Sequence, residues 1–245
     1  IENKGIELSI GLQLVDTKDW NVRLNASYNT NHNKVLSIGN AVPFAIGGFS
    51  SRTVQTVVAE GEPVGFIRGY KAVLNPDNSL KEILPLQNLG STLPTAYGNF
   101  SLSASYKNLS FMLSGDYQYG AYVHSFDRQF RFSKGLKDDA IPEKALEGLD
   151  QGANWLNFTN FFVEKSDFLK IRNIGIAYDY KPKKYLKSVN LAFNVYNPFA
   201  FTASSVDPEA ALAGARSQGA VAVGGLNYSS YSTPRQYVGT IRVSF

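Results

Sequence analysis

Two histidines, His32 and His124, are the only imidazoles in the sequence, and no cysteine accompanies them. Thiolate metal sites, disulfides and thiol catalysis are therefore excluded. A zinc pair would need carboxylates at ligand spacing beside the histidines, and none stand there. The stretch DRQFRFSKGLKDDAIPEK gathers Asp127, Arg128, Asp138 and Asp139. Adjacent aspartates can ligate calcium, but their order lacks an EF-hand arrangement, so the stretch reads as a solvated loop. GAVAVGG at 219–225 is glycine-rich, yet no Lys-Ser/Thr follows and it is no phosphate loop. No carboxylate pair is singled out for glycosidic acid–base work. The sequence thus points to no enzyme and to no cofactor. The chemistry that remains is recognition. Asn21, Arg23 and Asn25 recur on alternate residues, Asn190 and Asn194 share one parity, and Arg242 alternates with apolar neighbours.

A spacing of two is the signature of strands that must position these side chains. Ile6, Leu8, Ile10, Leu12 and Leu14 alternate with Glu7, Ser9, Gly11 and Gln13. After DTKD the chain returns as Trp20, Val22, Leu24, Ala26 and Tyr28, with Asn21, Arg23 and Asn25 opposite. FSLSASYKNLSFMLSGDYQYG repeats the layout around a Lys107-Asn108 turn. A third hairpin runs DFLKIRNIGIAYDY, turns at KPKKYLK and returns as SVNLAFNVYNPFAF. Leu169 and Ile171 have one parity while Ile174 and Ile176 have the other, which predicts a bulge near Arg172-Asn173. The last stretch, QYVGTIRVSF, splits into Tyr237, Gly239, Ile241, Val243 and Phe245 against Val238, Thr240, Arg242 and Ser244.

The predicted strands cover 5–15, 20–32, 96–106, 109–120, 167–180, 188–202 and 236–245, each longer than the usual mode of ~5–6 residues. Short turns alternate with long connections at roughly 33–95, 121–166 and 203–234, and VGFIRGYKAV at 64–73 falls inside the first of these. Aromatics mark strand ends: Trp20, Tyr28, Tyr106, Tyr117, Tyr119, Tyr178, Tyr180, Tyr196 and Phe199. Rings of this kind suit the boundary between lipid and water. There is no apolar run long enough for a helical span, but a membrane strand needs only every second residue apolar. The net charge of +4 is too balanced to point to nucleic acid. The expected fold is all-β: an antiparallel transmembrane β-barrel with short periplasmic turns and long extracellular loops.

Bacterial single-chain barrels normally have an even number of strands, so about seven implies the last third of a larger barrel. Several stretches then become informative together. ENKGIELSI, EGEPVGFIRGYKAV, SDFLKIRNIGIAYDYKPKKYLKSVNLAFNVYNPFAFT, VDPEA at 206–210 and STPRQYVGTIRVSF occur in this order. They resemble segments of the C-terminal barrel of the SusC/RagA family of TonB-dependent outer-membrane transporters. The resemblance spans nearly the whole chain.

It implies residence in the bacterial outer membrane and a barrel of about 22 strands around a plug domain. It further implies a role in importing glycan or peptide fragments. The implied partners are the remaining barrel and plug segments of the same receptor, a SusD-like surface lipoprotein, the lipid membrane, and the TonB energy-transducing complex acting through an N-terminal part. Nucleic acid is not among them. On that layout Asn21, Arg23, Asn25, Asn190, Asn194 and Arg242 face the lumen and plug. Tyr70, Tyr122, Phe126, Trp155, Phe161, Tyr228 and Tyr231 lie on the extracellular side, where they stack on ligand or pack a lid. Lys181, Lys183, Lys184 and Lys187 form a basic periplasmic turn. Tyr237, Ile241, Val243 and Phe245 face lipid and form the assembly signal. Two other readings stand beside this one: a small independent barrel acting as an adhesin or structural protein, and a soluble ligand-binding sandwich.

Overall fold

The computed structural model describes residues 1–48, 54–182, 186–207, 209, 224–228 and 231–245. Seven long strands form one antiparallel sheet: β1 (Glu7–Asp16), β2 (Trp20–Thr30), β3 (Ala96–Tyr106), β4 (Leu109–Tyr119), β5 (Phe168–Tyr180), β6 (Ser188–Thr202) and β7 (Gln236–Ser244). Each pairs with its sequence neighbour, so the sheet is an up-and-down meander. Among the described residues its edges, β1 and β7, are not joined to each other. Among the described residues the terminal strand β7 is held on one side, by β6. Among the described residues no helix is long and apolar enough to cross a membrane, which says nothing about strands.

The register aligns the side chains into two faces. Ile241 lies opposite Leu191, Leu191 opposite Tyr178, and Tyr178 opposite Leu109. Leu109 lies opposite Tyr106, and Tyr106 opposite Trp20. A second row runs Gly239, Phe193, Ile176, Phe111, Ala104 and Val22. One apolar face is thus continuous across the sheet. The opposite face carries Asn21, Arg23 and Asn25 against Ser105, Ser103 and Ser101.

Two bulges adjust this pattern. The ladder skips Arg172 on both sides of β5, as the parity switch in the sequence requires, and so returns Ile174 to the face of Ile171. The second was not expected. Leu14 drops out of the β1–β2 register, where Gln13 Nε2 donates to the carbonyls of Val15 and Val22. Leu14 is therefore not the fifth member of the β1 apolar row. Tyr117 also departs from its expected place in an aromatic girdle. It is half-buried, and its hydroxyl donates to Ser27 O at 3.1 Å. Gly98 allows this, since a Cβ there would lie 2.0 Å from the same carbonyl.

The long connections are folded. The first builds a four-stranded sheet from Phe44–Gly48, Gln55–Val58, Phe66–Leu74 and Leu80–Gly90, with VGFIRGYKAV inside it. The second supplies helix α1 (Phe126–Ser133) and further short helical turns. Ser125 caps α1 by accepting from Arg128 N, and Gly135, at φ 84°, ends it in the left-handed region. Phe132, Phe158 and Phe162 are fully buried together with Ala72 from the first connection. Each such ring contributes roughly 1.5–3 kcal/mol over its exposed state. The buried core lies here, and the seven-stranded sheet leaves both of its faces largely open.

Candidate functional site

The six polar residues read from the strands share the face opposite the apolar rows. Asn25 Nδ2 donates to Ser101 Oγ at 3.3 Å, Asn21 Nδ2 to Asp16 Oδ1 at 3.3 Å, and Asn190 Nδ2 to Asp179 Oδ1 at 2.8 Å. Arg23 lies opposite Gln13 and Ser103, and Arg242 opposite Asn190. Asn194 spreads over Gly175, where a Cβ would come within 2.4 Å of its Oδ1. This is a floor of amides, hydroxyls and two guanidinium groups.

At the long-loop end the floor meets a charge network that sequence reasoning missed. Arg172, the bulged residue, pairs through Nε and Nη2 with both oxygens of Asp116, the Nη2–Oδ2 contact being 2.8 Å. Its Nη1 donates to Glu209 Oε2 at 2.7 Å, and Nη2 to Glu209 Oε1. Lys170 Nζ reaches Asp207 Oδ1 at 2.5 Å and Glu209 Oε2 at 2.6 Å. Burial is the largest single influence on the Asp207 carboxyl and would raise it, but the Lys170 hydrogen bond and charge, together with the backbone N–H groups of Glu209 and Thr233, hold the pKa below the ordinary value. Glu209 is lowered in the same way, with Arg172 and Lys170 overcoming its desolvation. The available signals were the bulge and the acidic pair in VDPEA. Their meeting across the fold had no local sign.

Beside this network lies a cavity of about 560 Å³ lined by Asn29, Tyr97, Asn99, Asp116, Gln118, Tyr122, Phe168 and Glu209, among others. Its volume is in the range of small-ligand pockets.

The structure divides the loop aromatics. Phe126 meets Tyr228 edge-on at 5.2 Å and Trp155 at 6.2 Å, so these three form one group. Phe161 packs instead on the core of Phe158 and Phe162. Tyr122 lines the cavity and covers Gly90, where a Cβ would lie 2.4 Å from its ring. Tyr70 is half-buried in the loop sheet, and Tyr231 stands 94% exposed.

Asp138 is not on the solvated face expected for its loop. Arg128 Nε donates to its Oδ2 at 2.9 Å, and Arg128 also pairs with Glu164. Asp139 is exposed. His124 is fully buried, with Nε2 2.6 Å from Gln129 Oε1. Gln129 Nε2 donates to Thr159 Oγ1, which makes its Oε1 the acceptor and His124 the Nε2–H tautomer. Burial pushes the His124 pKa down to about 4. His32 is exposed on the short strand His32–Lys34. Among the described residues no group of three or more His, Asp or Glu side chains could hold a metal. Lys183, Lys184 and positions 219–223 lie outside the described residues.

On β7, Tyr237, Ile241, Val243 and the adjoining Phe245 are exposed. Tyr237 stacks on Phe193 at 6.4 Å along the apolar face.

No protein-family model matches the chain. It is 24% identical, over an alignment of 295 residues, to TonB-dependent receptor P26 of Formosa agariphila. That alignment takes in 100% of this chain and 29% of the receptor. Among solved structures, the RagAB peptide importer in its closed-closed state superposes with a TM-score of 0.71 at 20% identity, covering 99% of this chain and 29% of that one. Its open-open state gives 0.70 at 20% identity, with coverage of 99% and 28%. The fold is that of a SusC/RagA-type TonB-dependent barrel. The chain spans about 29% of the length of the curated relative it matches.

Proposed function

We propose that this chain is the C-terminal part of the barrel domain, residues 1–245, of an outer-membrane importer of the SusC/RagA type. The plug domain lies outside it. The observation that carries the reading is the two-faced sheet. Seven strands keep one apolar face continuous, while charge, amides and the cavity gather on the other. A wall between lipid and an aqueous lumen needs this division, because an exposed basic group at the bilayer midplane costs ~2–4 kcal/mol.

In this reading the importer takes up glycan or peptide fragments. The peptide importer named among the similar structures supports the second class. Cargo passes along the polar face, a SusD-like lipoprotein covers the extracellular mouth, and TonB supplies energy through the plug. The chain performs no bond-breaking chemistry. Its polar side chains bind, orient and release.

The test is uptake by cells carrying the intact protein, using fluorescently labelled oligopeptides and oligosaccharides. Uptake of one class should require the protein and stop when a protonophore collapses the proton gradient. Uptake that is independent of the protein or insensitive to the protonophore would overturn the reading.

A further inference from the structure

The Arg172 fork has both edges occupied, and the two occupants differ in kind. Asp116 belongs to β4, beside Arg172 in the wall. Glu209 belongs to the connection between β6 and β7. Lys170, also on the wall, adds a further donor to Glu209. Three charged donors fixed on one strand are thus filled by a carboxylate brought from a loop. Arginine forks of this geometry recognise carboxylates in general, whatever chain carries them.

Access points the same way. The Lys170 side chain is 5% exposed, whereas that of Glu209 is 31% exposed and lines the large cavity. Arg172 is 28% exposed, but of the three only Glu209 lines this cavity, while Lys170 and Arg172 line a second, smaller one beside Asp207. Asp116 and Asp207 balance Arg172 and Lys170 without Glu209. Withdrawal of Glu209 therefore leaves three strong donors unfilled but no net charge. A second carboxylate entering from the cavity restores the same hydrogen bonds.

We propose that Lys170 and Arg172 form a carboxylate-binding site at the rim of the polar face, occupied internally by Glu209 and open to a carboxylate-bearing ligand that displaces it. A peptide with a free C-terminus and an acidic sugar present the same group. Displacement frees Glu209 while Asp207 stays on Lys170. The site deepens the importer reading and rests on it only for the supply of ligand, since binding requires no transport.

The experiment uses the intact protein purified in detergent, as wild type, Glu209→Gln, Glu209→Ala and the double variant Glu209→Gln/Arg172→Gln. Calorimetry measures acetyl-trialanine, its C-terminal amide and digalacturonate. Removing the internal competitor should tighten binding of a carboxylate probe by about tenfold or more, because apparent affinity scales with the open fraction of the site. The amide should gain nothing, and the double variant should lose the gain. Whichever probe gains, peptide or uronate, identifies the source. Equal behaviour of acid and amide, or no gain in either Glu209 variant, overturns the proposal. Failure of both Glu209 variants to form a heat-stable barrel also overturns it, because Glu209 is then a structural clamp. Uptake that is independent of the protein or insensitive to the protonophore, with carboxylate binding retained, counts against the importer reading alone.

Discussion

His124 shows what a buried titratable group does in this fold. Its ring donates to Gln129, which is tied to Thr159, so one imidazole joins α1 to the segment behind it. Burial holds its pKa at about 4, against 6.5 when free. As pH falls, the unfolded chain therefore binds a proton first. The stabilisation is complete above about pH 6.5 and is lost progressively toward pH 4. The difference corresponds to roughly 3 kcal/mol. The protection factors of α1 amides should fall as pH drops across this window, and His124→Gln should flatten that dependence. From sequence alone His124 carried no assigned role. Its partners lie on a helix and a loop whose packing no local pattern discloses. The same holds for Arg172, whose two carboxylates are 56 and 37 residues away.

At the level of elements, period two makes all seven strands legible, because each must keep one face apolar over its full length. The Arg172 bulge was legible for the same reason, since Leu169/Ile171 and Ile174/Ile176, of opposite parity, must reach one face. The Leu14 bulge was not, because an unbroken alternation runs through it. The folded connections were hidden by irregular patterning: their core is assembled from Ala72, Phe132, Phe158 and Phe162, drawn from distant segments. Deleting Arg172 should leave a regular strand with its apolar row intact and preserve heat-modifiable barrel. Deleting Ala177 should turn Tyr178 inward and Asp179 outward, and abolish it. On β7, Val243→Arg places charge on the apolar face and should cost ~2–4 kcal/mol at the midplane, or about 0–1 near the interface. Arg242→Gln should be milder, and removal of Phe245 should lower the assembled fraction without changing synthesis. Gel shift on heating reads all of these. Equal assembly of Val243→Arg and wild type would contradict the face assignment.

Across the whole molecule, the proposed importer would divide its stability between two solvents. The connections bury aromatic side chains against one another, while the sheet leaves Leu8, Ile10, Phe111, Phe193 and Ile241 exposed in a continuous field. Such a field on a water-soluble protein would be an association surface. In lipid it is the matching surface, with Trp20 and Tyr106 in contact at 4.6 Å near the short turns. The assignment of lumen and lipid faces is the central claim. The absence of cysteine allows a direct test with single cysteines at adjacent residues of β6. Phe193→Cys and Asn194→Cys are labelled in the intact protein, reconstituted in vesicles containing brominated lipid. Bimane at 193 should be quenched by the lipid, while the thiol at 194 should react with a charged, membrane-impermeant maleimide. Quenching at 194 with protection of 193, or equal behaviour at both, would contradict the account.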